Sequence, residues 1–295
     1  MAVDQMSFSG YDGVRLVADV RGDSEARPVL FLHGAGQTRH AWGRTAAAVA
    51  ADGWRAVSLD MRGHGESDWA PDGDYSFAAF VADCASVVQQ LGSPPVLVGA
   101  SLGGITSLMA EGAAVGMFSD GLVLVDITSH TNPSGVARIR NFMRSGVDGF
   151  DSLDEAARAI AEYTPQRRRQ ASPDGLRKVL RERDGRWYWH WDPKFISDSR
   201  KVVLDSEPGQ FRGVTLRDIT IPTMLVRGMM SDVVTEEGVR HLQSLIPSID
   251  VVDVEGAAHM VAGDKNDAFS DAIVSFLDNK VRRLTEGSVP HPAGS

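Results

Sequence analysis

The sequence predicts an α/β protein: a doubly wound, mostly parallel sheet interrupted by a helical insertion. Three observations carry this. Short β-rich apolar runs alternate with helical patterns in residues 1–127 and again in 221–284, the rhythm of βαβ units covered on both faces. Residues 128–220 break that rhythm, being polar, Arg-rich and helical in pattern. Charge divides at the same places: Thr128 to Thr220 holds 17 Lys+Arg and 13 Asp+Glu, net +4, against 13 and 26 elsewhere, net −13.

Element by element, Val14 to Val20 reads as a strand and PVLFL at Pro28 to Leu32 as a buried one. A helix around Trp42 to Ala51 precedes a strand at Trp54 to Leu59, and a longer helix runs from Phe77 to Leu91. The strand Pro95 to Gly99 leads into a small-residue helix from Leu102 to about Ala114, followed by the strand Gly121 to Ile127. Beyond the insertion come a strand at Pro222 to Val226, a helix near Thr235 to Leu245, a strand at Ile249 to Val254 and a helix from Asn266 to about Val281. The segment 285–295, with two prolines, is expected to be disordered.

Composition narrows the function. The 295 residues are 43% hydrophobic and 23% charged, which excludes collagen-like, coiled-coil and disordered chains. A net charge of −9 argues against general nucleic-acid binding. The lone Cys84 allows no internal disulfide and no cysteine-based metal cluster. No apolar run reaches the roughly 18 residues of a membrane helix, and MAVDQMSFSG lacks the features of a secretory signal. The expectation is a cytoplasmic protein with a small-molecule partner, no membrane or nucleic-acid partner, and no metal or organic cofactor.

VLVGASLGG at 96–104 is the sharpest signal. It sets Ser101 between small residues, directly after a buried strand and before a helix. Such a turn pushes the central side chain out above the sheet, and only small neighbours leave room for it. The helix N-terminus then faces the serine and stabilises negative charge there.

A serine hydroxyl needs a histidine to take its proton and a carboxylate to fix that histidine's tautomer. His259, in VEGAAHMVAGDK after the last strand, falls at the sheet edge shared with Ser101. Asp232, in VRGMMSDVV, is the favoured acid. Asp126, ending its own strand, is the rival, although an anchoring role at the start of the insertion suits it as well. For the oxyanion the expected donors are the N–H groups of Leu102 and of Ala35, in HGAG at 33–36, with Gly36 next.

With HGAG at 33–36, DMRGHGES at 60–67, GASLGG at 99–104, RGMMSD at 227–232 and GAAHM at 256–260, the chain resembles the α/β-hydrolase superfamily. The pattern looks most like the branch of epoxide hydrolases, haloalkane dehalogenases, cofactor-free haloperoxidases and small esterases. The first two use an aspartate nucleophile where this chain has Ser101. The resemblance implies that 128–220 is a helical cap inserted after the sixth strand and that DMRGHGES is a structural loop beneath the site. Arg186 to Trp191, with three of the six tryptophans, either fastens that cap or lines an apolar pocket. Arg167 to Arg169 reads as a solvated helix face. The function expected is a serine hydrolase acting on a carboxylic ester or lactone through an acyl-enzyme. Alternatives are a diketone carbon–carbon hydrolase or a haloperoxidase/perhydrolase with the same triad, and a slow-turnover ligand receptor.

Overall fold

The apolar runs form one eight-stranded sheet in the computed structural model, which describes residues 2–114, 117–128, 132–163, 172–197, 216–255 and 266–283. Its first six strands are β1 (Asp4–Ser9), β2 (Arg15–Arg21), β3 (Pro28–Leu32), β4 (Arg55–Leu59), β5 (Val96–Ala100) and β6 (Gly121–Val125). The insertion contributes β7 (Leu180–Arg183) and β8 (Arg186–Trp189) as a separate hairpin, and β9 (Thr223–Gly228) and β10 (Asp250–Val254) complete the sheet. Spatial order is β1-β2-β4-β3-β5-β6-β9-β10. The β1/β2 and β2/β4 pairs are antiparallel and the rest parallel. Strand β1 is not foreseen in the sequence, because Phe8 is its single buried residue and the rest of it faces solvent.

Both faces of the sheet are covered. Val29 and Phe31 of β3 pack with Trp42, Val49, Phe269 and Ile273, whereas Leu30 and Leu32 join Phe80, Val87 and Leu108 on the other side. Helices α1 (Gly43–Ala51) and α8 (Asn266–Phe276) therefore cover one face, with α2 (Phe77–Leu91) and α3 (Leu102–Ala113) on the other. A one-residue slip would exchange the two sets. Each buried Val, Leu or Phe is worth about 1.5–3 kcal/mol, so the register is firmly specified. Among the described residues no helix is long and apolar enough to cross a membrane.

The chain passes from β3 to β4 on one side and then returns to β5 on the other side of β3. Opposed connections of this kind open a crevice at the carboxyl ends of the two central strands. The loop 33–36 and Ser101 stand at those ends.

Between β6 and β9 the chain leaves the sheet. Helices α4 (Pro133–Arg144), α5 (Leu153–Tyr163) and the single turn α6 (Pro173–Leu176) are joined by the β7–β8 hairpin. The insertion is therefore not purely helical as expected. The hairpin turns at Asp184-Gly185, both left-handed with φ of 53° and 77°, the geometry that a two-residue Asp-Gly loop favours. Helix α7 (Glu236–Leu245) follows β9. The expected tail 285–295 and the run Arg167 to Arg169 lie outside the described residues.

Candidate active site

Ser101 occupies the single residue between β5 and α3, at φ 47° and ψ −111°. A non-glycine residue there costs of order 1–3 kcal/mol and persists only where its surroundings fix it. They do so here: the Ser101 N–H donates to Val125 O at 3.2 Å, and Ser101 O accepts from Ile105 N at 2.9 Å. The flanking glycines are required sterically. A Cβ on Gly99 would run into the Gly103 carbonyl, and one on Gly103 into the Leu32 carbonyl. Ser101 itself stays half-buried, and Leu102 opens α3, where the first N–H groups have no intrahelical acceptor.

The loop after β3 faces this turn. A Cβ on Gly34 would lie 3.4 Å from Ser101 Cβ. The Gly34 N–H donates to Gln37 Oε1 at 3.0 Å and the Gly36 N–H to His64 Nε2 at 3.2 Å. Ala35 lies between them, and among the described residues its N–H carries no hydrogen bond.

The two candidate acids have different surroundings. Asp126, one residue beyond β6, is 1% exposed and left-handed at φ 49°. Its Oδ1 accepts from Gly228 N at 3.2 Å and its Oδ2 from Ser231 Oγ at 2.6 Å. Ser231 Oγ also accepts from the N–H groups of Val233 and Val234, each at 3.2 Å, so one hydroxyl shapes the whole turn after β9. Asp232 has a different partner. Its Oδ2 lies 2.6 Å from Arg138 Nη2 of α4, with the side chain 36% exposed. That arginine also lies over the Tyr163 ring at 5.4 Å, and Tyr163 stacks on Phe142 at 4.1 Å. The favoured acid of the sequence is thus paired with the insertion, and its rival is buried beside Ser101.

Three buried histidines brace the loop after β3. The N–H of Met61 donates to His33 Nε2 at 3.0 Å, so Nδ1 carries the proton given to Gly34 O at 2.8 Å. His64 accepts from Gly36 N and donates through Nδ1 to Arg62 O at 3.0 Å. His190, which follows β8, accepts at Nδ1 from Gly65 N at 2.7 Å, leaving Nε2 to donate to Gly36 O at 3.3 Å. Backbone N–H groups only donate, which fixes each tautomer. Burial pushes His33 below its ordinary pKa and His190 down to about 3, so both rings stay neutral. Nothing in its spacing singles out His190; the signal lay in the aromatic run preceding it.

The DMRGHGES loop is a buried polar knot. Asp60 accepts from Arg39 N at 2.7 Å and Nη1 at 2.5 Å, and Arg62 is held by both oxygens of Asp83 at 2.6 and 2.8 Å. The insertion grips this loop by its backbone: Arg181 donates to Gly65 O, and Asp192 N donates to Gly63 O at 3.0 Å. Above it, a Cβ on Gly36 would come within 3.1 Å of Trp191 and 3.2 Å of Met143. Trp191 stacks on Trp189 at 4.7 Å, and Trp189 meets Phe150 edge-on at 5.2 Å. The tryptophans thus join the insertion together and seat Trp191 on the loop after β3. The expected base, His259, lies outside the described residues.

Residues 29–272 match the family model described as the alpha/beta hydrolase family. An esterase of Mycobacterium tuberculosis is 27% identical over 273 residues, covering 90% of this chain and 87% of that protein. A solved structure of that esterase superposes with a TM-score of 0.72 at 26% identity, over 95% of this chain and 92% of its own. The structure of E-2-(acetamidomethylene)succinate hydrolase gives a TM-score of 0.79 at 22% identity, over 94% of this chain and all of the other, a likeness of fold.

Proposed function

As the chain belongs to the alpha/beta hydrolase family, we propose that it is a serine hydrolase that cleaves a carboxylic ester or lactone with an apolar portion through an acyl-enzyme. Ser101 Oγ attacks the carbonyl carbon while His259 takes its proton. The tetrahedral oxyanion accepts from the N–H groups of Leu102 and Ala35. His259 then protonates the leaving alkoxide; in the second half water gives a proton to His259 as it attacks the acyl carbon, and that proton passes to Ser101 Oγ as the acid leaves. Ester hydrolysis as a class is supported by esterase relatives such as that of M. tuberculosis.

The observation that carries this reading is the left-handed Ser101 held between β5 and α3, facing a loop whose middle N–H is uncommitted. For the carboxylate, the geometry supports Asp126 over Asp232. A buried acid fixed by Gly228 and Ser231 is suited to orient an imidazolium, whereas Asp232 is paired with Arg138. Trp191 and Met143 above the loop support an apolar substrate portion.

The test is turnover of p-nitrophenyl acetate and butyrate by the wild type and Ser101→Ala, with a fluorophosphonate probe to label the nucleophile. Loss of turnover and of labelling in the variant is expected. Undiminished hydrolysis by Ser101→Ala would end the reading.

A further inference from the structure

We propose that His190 is a positioning residue: its ring ties the insertion to Gly36, so that the loop carrying the Ala35 donor takes its working shape only when the insertion is seated. The inference rests on the hydrolase reading for its kinetic consequence, but its structural content stands separately.

Gly36 is held on both sides of its peptide frame. Its N–H goes to His64, within the sheet domain, and its carbonyl accepts from His190, which belongs to the insertion. Gly36 adopts φ 73°, and the loop around it contains no regular element that would fix it by itself. Trp191 and Met143 pack on Gly36 from the insertion, but beside that contact the seam opens. A cavity of about 370 Å³ separates the insertion's Arg177, Lys178 and Arg181 from Thr38, Arg39 and Glu66 of the sheet domain, and His190 forms part of its wall. Across that gap, among the described residues, Gly65 N–H donates to His190, His190 donates to Gly36 O and Arg181 donates to Gly65 O. Of these hydrogen bonds, the one to Gly36 reaches the residue beside Ala35 and fixes its carbonyl, which the apolar contacts of Trp191 and Met143 cannot orient. The Ala35 N–H would act on charge that develops in the transition state, so a displaced loop should lower kcat rather than raise KM.

The two bonds of the ring can be separated. In His190→Gln the amide N–H₂ sits near the former Nε2 and keeps the donor to Gly36 O. In His190→Asn the amide oxygen sits near the former Nδ1 and keeps the acceptor for Gly65 N–H, leaving Gly36 O without its donor. The experiment compares the two variants with the wild-type full chain in ester kinetics and in hydrogen exchange of segments 34–37 and 63–66.

The Asn variant is expected to lose roughly ten- to a hundred-fold in kcat with KM nearly unchanged. The Gln variant should stay within about threefold, a rescue that a purely structural role would not produce. Exchange should be crossed: faster at 34–37 in the Asn variant, faster at 63–66 in the Gln variant. Equal losses in both variants, or no kcat loss in the Asn variant, would overturn the proposal. If the wild type shows no serine reactivity at all, the hydrolase reading fails. The tie is then decided by exchange alone: unchanged rates at 34–37 in the Asn variant would overturn it, and the crossed pattern would support it.

Discussion

Ser101 and Asp126 are neighbours across two parallel strands. Each lies one residue beyond the paired ends Ala100 and Val125, and each is left-handed, with φ of 47° and 49°. The Ser101 N–H reaches the Val125 carbonyl, directly before Asp126, so the two strained residues share one peptide frame. Strain at a non-glycine residue concentrates at functional sites, and here it marks a serine and a buried carboxylate together.

If that pairing carries the acid, Asp126→Asn should reduce kcat by roughly 10⁴, the scale seen when a triad carboxylate is replaced by its amide. Asp232→Asn should change kcat by less than about tenfold. Its ion pair with Arg138 is one-third to one-half exposed, and exposed pairs contribute at most about 1 kcal/mol. Steady-state kinetics of the two variants decide between the acids, and the opposite ranking would return the role to Asp232.

Much of this site is legible in the sequence, for a local reason. The strand, turn and helix around Ser101 are consecutive, so their chemistry is written in nine residues. Leu102 lies within that run, whereas Ala35 is read from the separate HGAG loop at 33–36. The ranking of Asp126 against Asp232 is not local. It depends on which side chain the turn after β9 directs inward, and Ser231, adjacent to Asp232, does that work by binding Asp126 instead. The β7–β8 hairpin was hidden because its first strand, LRER, has only Leu180 buried. Its Asp184-Gly185 dipeptide was nonetheless a hairpin signal. The place of His190 is set by tertiary contacts with Gly36 and Gly65, which leave no local signature.

Gly36→Ala tests the loop directly. At φ 73° a Cβ costs about 1–2 kcal/mol, and the added methyl would press on Trp191 and Met143. Urea unfolding should show a loss of that size, and if Ala35 is the oxyanion donor proposed above, kcat should fall at least tenfold as the loop shifts. An unaltered kcat would mean that the loop does not contribute an oxyanion donor.

Acid should weaken the fold before the carboxylates titrate. His190 is buried neutral, its pKa pushed down to about 3 by burial and by the neighbouring His33. In the unfolded chain the ring takes a proton near pH 6.5. The unfolded state therefore binds more protons between about pH 6.5 and 3, and stability falls as pH falls through that window. One ring contributes up to about 1.4 kcal/mol per pH unit. Urea midpoints at pH 7, 6 and 5 should decline in the wild type and decline less in His190→Gln; parallel slopes would remove His190 as the source.

The left-handed backbone at Ser101 also sets what evolution or engineering can do with this chain. Glycine adopts that conformation without the steric cost, so Ser101→Gly is expected to unfold at higher urea, by roughly 1 kcal/mol once the freer unfolded chain is counted. On the proposed mechanism, that sturdier variant would be chemically silent. If Ser101 is the nucleophile proposed above, a screen that rewarded thermal resistance alone would favour its loss, and the serine would persist only where turnover itself is under selection.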